Sequence, residues 1–138
     1  MAKALFVCLQ NAGRSQMSEA LFTRSADGRH QGRSAGTAPA GQIHPEVRRA
    51  MAEVGIDLAG RAPKQLTPAM AQWADIVVTM GCGDECPYIP GRRYLDWDLP
   101  DPRGKPLADV RLIRDEITRR VERLLAELDS RTRTSAPA

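Results

Sequence analysis

Two short apolar runs restrict the fold more than anything else in the chain: "KALFV" at Lys3 to Val7 and "DIVVTM" at Asp75 to Met80. Each reads as a buried strand. The first leads through a turn containing Gly13 into Ser15 to Ser25, where Met17, Ala20 and Leu21 recur at helical spacing. "RSAGTAP", Arg33 to Pro39, reads as the end of a second strand and a turn. Pro45 to Val54 reads as a helix with Val47, Met51 and Val54 on one face, stopped by Gly55. Thr67, followed by Pro68, suits the N-cap of a helix running through Trp73. A short strand at Arg93 to Asp96 precedes a long helix from about Ala108 to Leu128, whose stripe is Val110, Ile113, Ile117, Val121, Leu124 and Leu128. Strands alternating with helices imply parallel βαβ units with right-handed crossovers. The expected fold class is α/β: an open four-stranded parallel sheet with helices on both faces.

At 138 residues the chain fits one domain, and a domain of about 150 residues buries roughly 70% of its unfolded surface. A single catalytic domain is expected over 1–130 and a disordered tail over 131–138. No apolar run approaches the roughly 20 residues of a membrane span, and the first residues lack a secretory pattern, so the expectation is a cytoplasmic protein without membrane contact. The net charge of +3 comes from dispersed arginines (Arg48-Arg49, Arg92-Arg93, Arg119-Arg120), which suits a solvated surface rather than a nucleic-acid site. In a reducing compartment, three cysteines suit catalysis, redox chemistry or metal binding better than a disulfide framework.

In open α/β sheets the binding crevice lies at the carboxyl ends of the strands. Cys8, the loop after Met80 and the loop after Asp96 all stand there. Between Cys8 and Arg14 lie Leu9, Gln10, Asn11, Ala12 and Gly13, enough for a tight loop whose N–H groups turn inward ahead of a helix. Such a nest binds tetrahedral oxyanions. Arg14 would add a fork of donors, Ser15 a hydrogen bond to the sulfur, and Asn11 a side chain that holds the loop's curvature. These features favour thiolate over thiol at Cys8. The alternative is a small buried cysteine ending a strand; strand before, glycine turn within and helix after point to the nucleophile.

"VCLQNAGRSQMSEA", with "SAGT" at Ser34 to Thr37, the "VVTM" strand and "DLPDP" at Asp98 to Pro102, resembles the low-molecular-weight protein tyrosine phosphatases and, within that fold, the thiol-dependent arsenate reductases. The resemblance runs from about Lys3 to Leu128. It implies that Cys8 attacks arsenate and that Asp101 is the general acid, with Asp98 its neighbouring competitor. It further implies that Cys82 attacks Cys8 and that Cys86 moves the disulfide to where thioredoxin can reach it. In some relatives mycothiol, with mycoredoxin, takes the arsenic instead, which would leave Cys82 and Cys86 dispensable. Four residues in one helical turn rise about 6 Å, inside the Cα window for a disulfide between Cys82 and Cys86. An inert thiol pair or a zinc clip are the alternatives, and for zinc only His30 and His44 are at hand, in no recognisable pairing. Arg103 follows Asp101-Pro102 and the chain has only two Phe, two Tyr and two Trp, among them Tyr88 and Trp97. A bare oxyanion suits such a mouth better than an aryl ester. The resemblance also offers a potassium site at Asn11, Glu19 and Ser34. It implies no bound cofactor, an external thiol reductant and a monomer.

Overall fold

The computed structural model describes residues 1–81 and 91–135. Strands β1 (Lys3–Cys8), β2 (Gln31–Gly36), β3 (Ile76–Thr79) and β4 (Arg93–Asp96) form one sheet in the order β2-β1-β3-β4, and every pairing is parallel. The helices are α1 (Arg14–Ala26), α2 (Pro45–Ala52), α3 (Pro68–Trp73) and α4 (Leu107–Ser135). The expected α/β architecture is met. Cys8 lies opposite Gly36 at the carboxyl end of central strand β1, with Thr79 ending β3 one register position back on the other side. A central strand end flanked by two others leaves a crevice there.

The pleat sorts β1 between two cores. Ala4, Phe6 and Cys8 join the larger one, with Met17, Leu21 and Phe22 of α1, Val47 and Met51 of α2, and the apolar stripe of α4. Leu5 and Val7 join the smaller one with Ala74 and Val77, against which Leu66, Met70 and Trp73 pack. Phe6 anchors the larger core: its ring meets Phe22 edge-on at 5.3 Å and Trp97 at 5.9 Å. Thr67 caps α3 as its sequence suggests, accepting from the Met70 N–H at 3.2 Å.

Helix α2 stops at Ala52, two residues earlier than its apolar face suggests, and Glu53 becomes its C-cap. The Glu53 carboxylate takes Arg111 and Arg114 of α4, while Arg114 also donates to the Ala50 carbonyl at 2.7 Å. A cation is thereby set at the negative end of α2. Helix α4 continues to Ser135, past the Leu128 at which its apolar stripe ends. Beyond the apolar stripe the chain is tied by other means: Glu127 pairs with Arg131 one turn on, and Asp129 takes Arg29 and His30. His30 accepts the Ala2 N–H at Nδ1, so Nε2 carries the proton toward Asp129 at 2.8 Å. Among the described residues no helix is long and apolar enough to cross a membrane.

Phe6→Ala is expected to remove about 3 to 5 kcal/mol of unfolding free energy, measurable by urea titration, because three rings lose one contact surface. Glu53 gives a pH test. Hydrogen bonding from Arg111 leads the causes that lower its carboxyl from 4.5 to about 2. A depressed folded-state value stabilises above the unfolded value and is lost as pH falls through the folded one. The thermal midpoint gap between the parent and Glu53→Gln is therefore expected to be full at neutral pH, and to close between about 4.5 and 2.

Candidate active site

Residues 8–13 curl around one sulfur because their carbonyls are held on the outside. The Cys8, Leu9 and Gln10 carbonyls accept from the N–H groups of Thr37, Ala38 and Ala40 at 3.2, 2.8 and 3.0 Å, and the Ala12 carbonyl accepts from His44 at 3.0 Å. In a planar trans peptide the N–H points opposite to the carbonyl. The N–H groups of Leu9, Gln10, Asn11 and Gly13 are thus turned to the inner side. The Asn11 N–H lies 3.2 Å from the Cys8 sulfur, which is 2% exposed as a residue. Asn11 makes the bend at φ 51°, a left-handed conformation that asparagine tolerates better than most side chains.

A chain of hydrogen bonds links the Lys64 backbone to the Ser15 hydroxyl. The Lys64 backbone N–H can only donate, and it points at Asn11 Oδ1 at 2.9 Å. Asn11 Nδ2 is therefore the donor to Ser15 Oγ at 2.7 Å. Ser15 Oγ in turn lies 2.8 Å from Cys8 Sγ, within hydrogen-bond distance. The Asn11 N–H and the Ser15 hydroxyl thus both reach the sulfur. Gln16, fully buried at the start of α1, adds a second donor to Asn11 Oδ1 at 3.0 Å.

Across the cradle, the buried Arg14 donates to the Leu99 carbonyl at 3.3 Å, and its guanidinium stands 3.7 Å from the Asp101 carboxylate. Asp101 is the carboxylate of the "DLPDP" segment that reaches Arg14, whereas Asp98 lends Arg120 its carbonyl. Asp101 is half exposed, and its side chain also accepts the Arg103 N–H at 3.0 Å. Two glycines permit this approach. A Cβ on Gly13 would stand 2.5 Å from Pro102 Cγ, and one on Gly81 would stand 2.2 Å from Arg14 Nη1, at a φ of +84°. Loop, arginine and acid segment meet through the gaps those absent side chains leave.

The structure brings together Cys8, Leu9, Gln10, Asn11, Ala12, Gly13, Arg14, Ser15 and Asp101. Cys82, Cys86 and Tyr88 lie outside the described residues. Of the residues offered for potassium, Glu19 pairs with Arg61 and Lys64, Ser34 donates to Glu19, and Asn11 Oδ1 accepts two N–H groups. Among the described residues no cluster of three or more His, Cys, Asp or Glu could hold a metal. His44, considered in the sequence only as a zinc ligand, instead borders this site at the N-cap of α2. Burial holds its imidazole below the ordinary 6.5; Asp101 opposes that shift, and Arg103 and Arg14 add to it. The signal was its place on a loop that follows the carboxyl end of β2, where every loop faces the crevice.

The model of the family described as low molecular weight phosphotyrosine protein phosphatase matches residues 3–134. The chain belongs to that family. A relative from Halobacterium salinarum bearing the name "Putative arsenate reductase" is 41% identical over 129 residues, covering 90% of this chain and 91% of its own. The solved thioredoxin-dependent arsenate reductase of Corynebacterium glutamicum is 39% identical with a TM-score of 0.79; the match covers 94% of this chain and 62% of that longer one. The YwlE arginine phosphatase of Geobacillus stearothermophilus has a TM-score of 0.89 at 25% identity, covering all of this chain and 99% of its own.

Three substitutions test the geometry. Gly81→Ala is expected to weaken binding of inorganic phosphate tenfold or more by calorimetry, since the methyl group must displace the Arg14 guanidinium. Gly60→Ala, at a φ of +83° with nothing within 4 Å, is expected to cost about 1 to 2 kcal/mol of stability and leave phosphate binding unchanged. Ser15→Ala is expected to slow alkylation of Cys8 at neutral pH by roughly tenfold, the worth of one hydrogen bond to a charged group, because it removes the hydroxyl 2.8 Å from the sulfur.

Proposed function

We propose that this chain reduces arsenate to arsenite, with Cys8 as nucleophile and an external thiol reductant as the source of electrons. The observation that carries the reading is the cradle itself: inward N–H groups and Arg14 surround the sulfur that would attack, and Asp101 stands across from it. The arsenate reductase names of the Halobacterium and Corynebacterium proteins support it. Trp97 supports it too, because its ring packs on Phe6 and is only 7% exposed, which leaves it unable to grip an aryl ester at the mouth.

The Cys8 thiolate attacks arsenic(V) held by the loop N–H groups and the Arg14 fork. Asp101 protonates the departing oxygen, which leaves as water, and a sulfur–arsenic bond has replaced an oxygen–arsenic bond. Cys82 then attacks the Cys8 sulfur. The sulfur–arsenic electron pair passes to arsenic, arsenite departs as arsenic(III), and the two thiols are left as a disulfide. Cys86 attacks Cys82, returns Cys8 as thiolate, and leaves a Cys82–Cys86 disulfide for the dithiol of thioredoxin to reduce. The other route has mycothiol attack the arsenic adduct, with mycoredoxin completing the reduction and neither later cysteine required.

A second reading, phosphatase chemistry on the same cradle, is favoured by the closeness in shape to the arginine phosphatase. Cys8 would carry phosphorus in place of arsenic, and water would release it.

Arsenate-dependent NADPH oxidation separates the readings. With thioredoxin and its reductase the parent is expected to turn over; Cys8→Ser is expected to abolish activity, and Asp101→Asn to lower it by about 10² to 10⁴. Cys82→Ser and Cys86→Ser are expected to stop turnover under thioredoxin. Full activity of both variants with mycothiol and mycoredoxin assigns the second route. Steady hydrolysis of p-nitrophenyl phosphate without arsenite release by the parent assigns the phosphatase.

A further inference from the structure

His44 takes no part in the chemistry set out above, yet it stands at the seam between the oxyanion loop and the acid segment. Its backbone is pinned from both sides: the N–H donates to the Ala12 carbonyl at 3.0 Å, and its carbonyl accepts from Val47 and Arg48 at 3.1 Å. Its ring carbon Cδ2 lies 3.5 Å from the point that a Cβ on Gly13 would occupy. Pro102 Cγ lies 2.5 Å from the same point. Imidazole and proline thus both pack against Gly13, and Pro102 is covalently next to Asp101. The ionisable groups that face the ring are Asp101 and Arg103 from the acid segment and Arg14 from the start of α1. On its own helix Glu46 is paired with Arg49 at 3.1 Å.

We propose that His44 is a positioning residue for the general acid: packed against the same glycine as Pro102, its ring helps seat the segment that carries Asp101 over the Cys8 cradle. The inference rests on the reading of Cys8 and Asp101 as nucleophile and acid. Charge on the ring would act in two directions. A cation beside Asp101 favours the carboxylate, the form with no proton for the departing oxygen, so the chemical step slows. The same cation, beside Arg14 and Arg103, attracts the oxyanion, so binding tightens. Acidification is thus expected to lower the saturating rate and the half-saturating arsenate concentration together. A role in packing alone moves neither with pH.

The test is single-turnover loss of free thiols when reduced enzyme is mixed with arsenate, followed from about pH 5 to 8 in the parent, His44→Asn, His44→Ala and His44→Lys, with thermal midpoints measured alongside. Arsenate's own titration is common to all four and cancels in rate ratios. The parent to His44→Asn ratio of saturating rates is expected to fall about tenfold on acidification. His44→Lys is expected to show, already at neutral pH, a rate roughly tenfold below the parent with tighter arsenate binding. His44→Ala is expected to lose about tenfold in rate with binding unchanged. A parent to His44→Asn ratio constant within about twofold across the range overturns the proposal, as does a His44→Ala rate within about twofold of the parent. If His44→Lys does not fold, the asparagine ratio decides. If the parent loses no thiol to arsenate, the reductase reading fails, and p-nitrophenyl phosphate hydrolysis, which needs the same acid, reads His44 by the same ratios.

Discussion

The site depends on the four carbonyls of Cys8, Leu9, Gln10 and Ala12 being occupied from outside by the segment after β2. Because a peptide plane cannot send its two poles to the same side, each outward bond fixes an inward N–H. The electropositive interior of the loop is thus built by residues that never touch it. Nothing in the loop's own composition could hold four carbonyls away from a thiolate; the Thr37 to His44 stretch does this from the neighbouring strand's exit. Sheet topology is what supplies that neighbour, since β2 lies directly beside β1 and both run the same way.

A second layer of restraint governs protons rather than backbone. One backbone donor, the Lys64 N–H, sets the orientation of the Asn11 amide, which in turn donates to the Ser15 hydroxyl beside the sulfur. The polarity of the nucleophile's environment thereby reaches back to the segment between α2 and α3. Glu19 with Arg61 and Lys64 clamps that same segment to α1. The charges there serve architecture.

Much of this could be read from the residues. The Lys3 to Val7 and Asp75 to Met80 runs became β1 and β3, and Thr67 capped its helix, because local apolarity and a short hydroxyl side chain act over a few residues. Cys8, Arg14 and Ser15 were legible because their spacing makes sense only in a loop that closes on itself. Asp101 needed the family resemblance, since an Asp-Pro pair alone is a turn. What was not legible is long-range. Asn11 Oδ1 finds a donor 53 residues away, Arg14 finds the Leu99 carbonyl 85 residues away, and His44 packs on the same glycine as Pro102 of the acid segment. The last helix was read short for a related reason: beyond Leu128 it is held by ion pairs, including Asp129 with Arg29 and His30, and periodicity of apolar residues does not register them.

The contact between Arg14 and Asp101 has a consequence for selectivity. Between turnovers the guanidinium is not idle, because the carboxylate at 3.7 Å partly satisfies it. Any incoming anion must displace that internal rival before it gains the fork. A halide offers one centre and leaves the ring of amides mostly unanswered, so the exchange brings it little. A tetrahedral oxyanion would answer fork and amides at once, so under the proposed chemistry Asp101 would screen guests by shape as well as by charge.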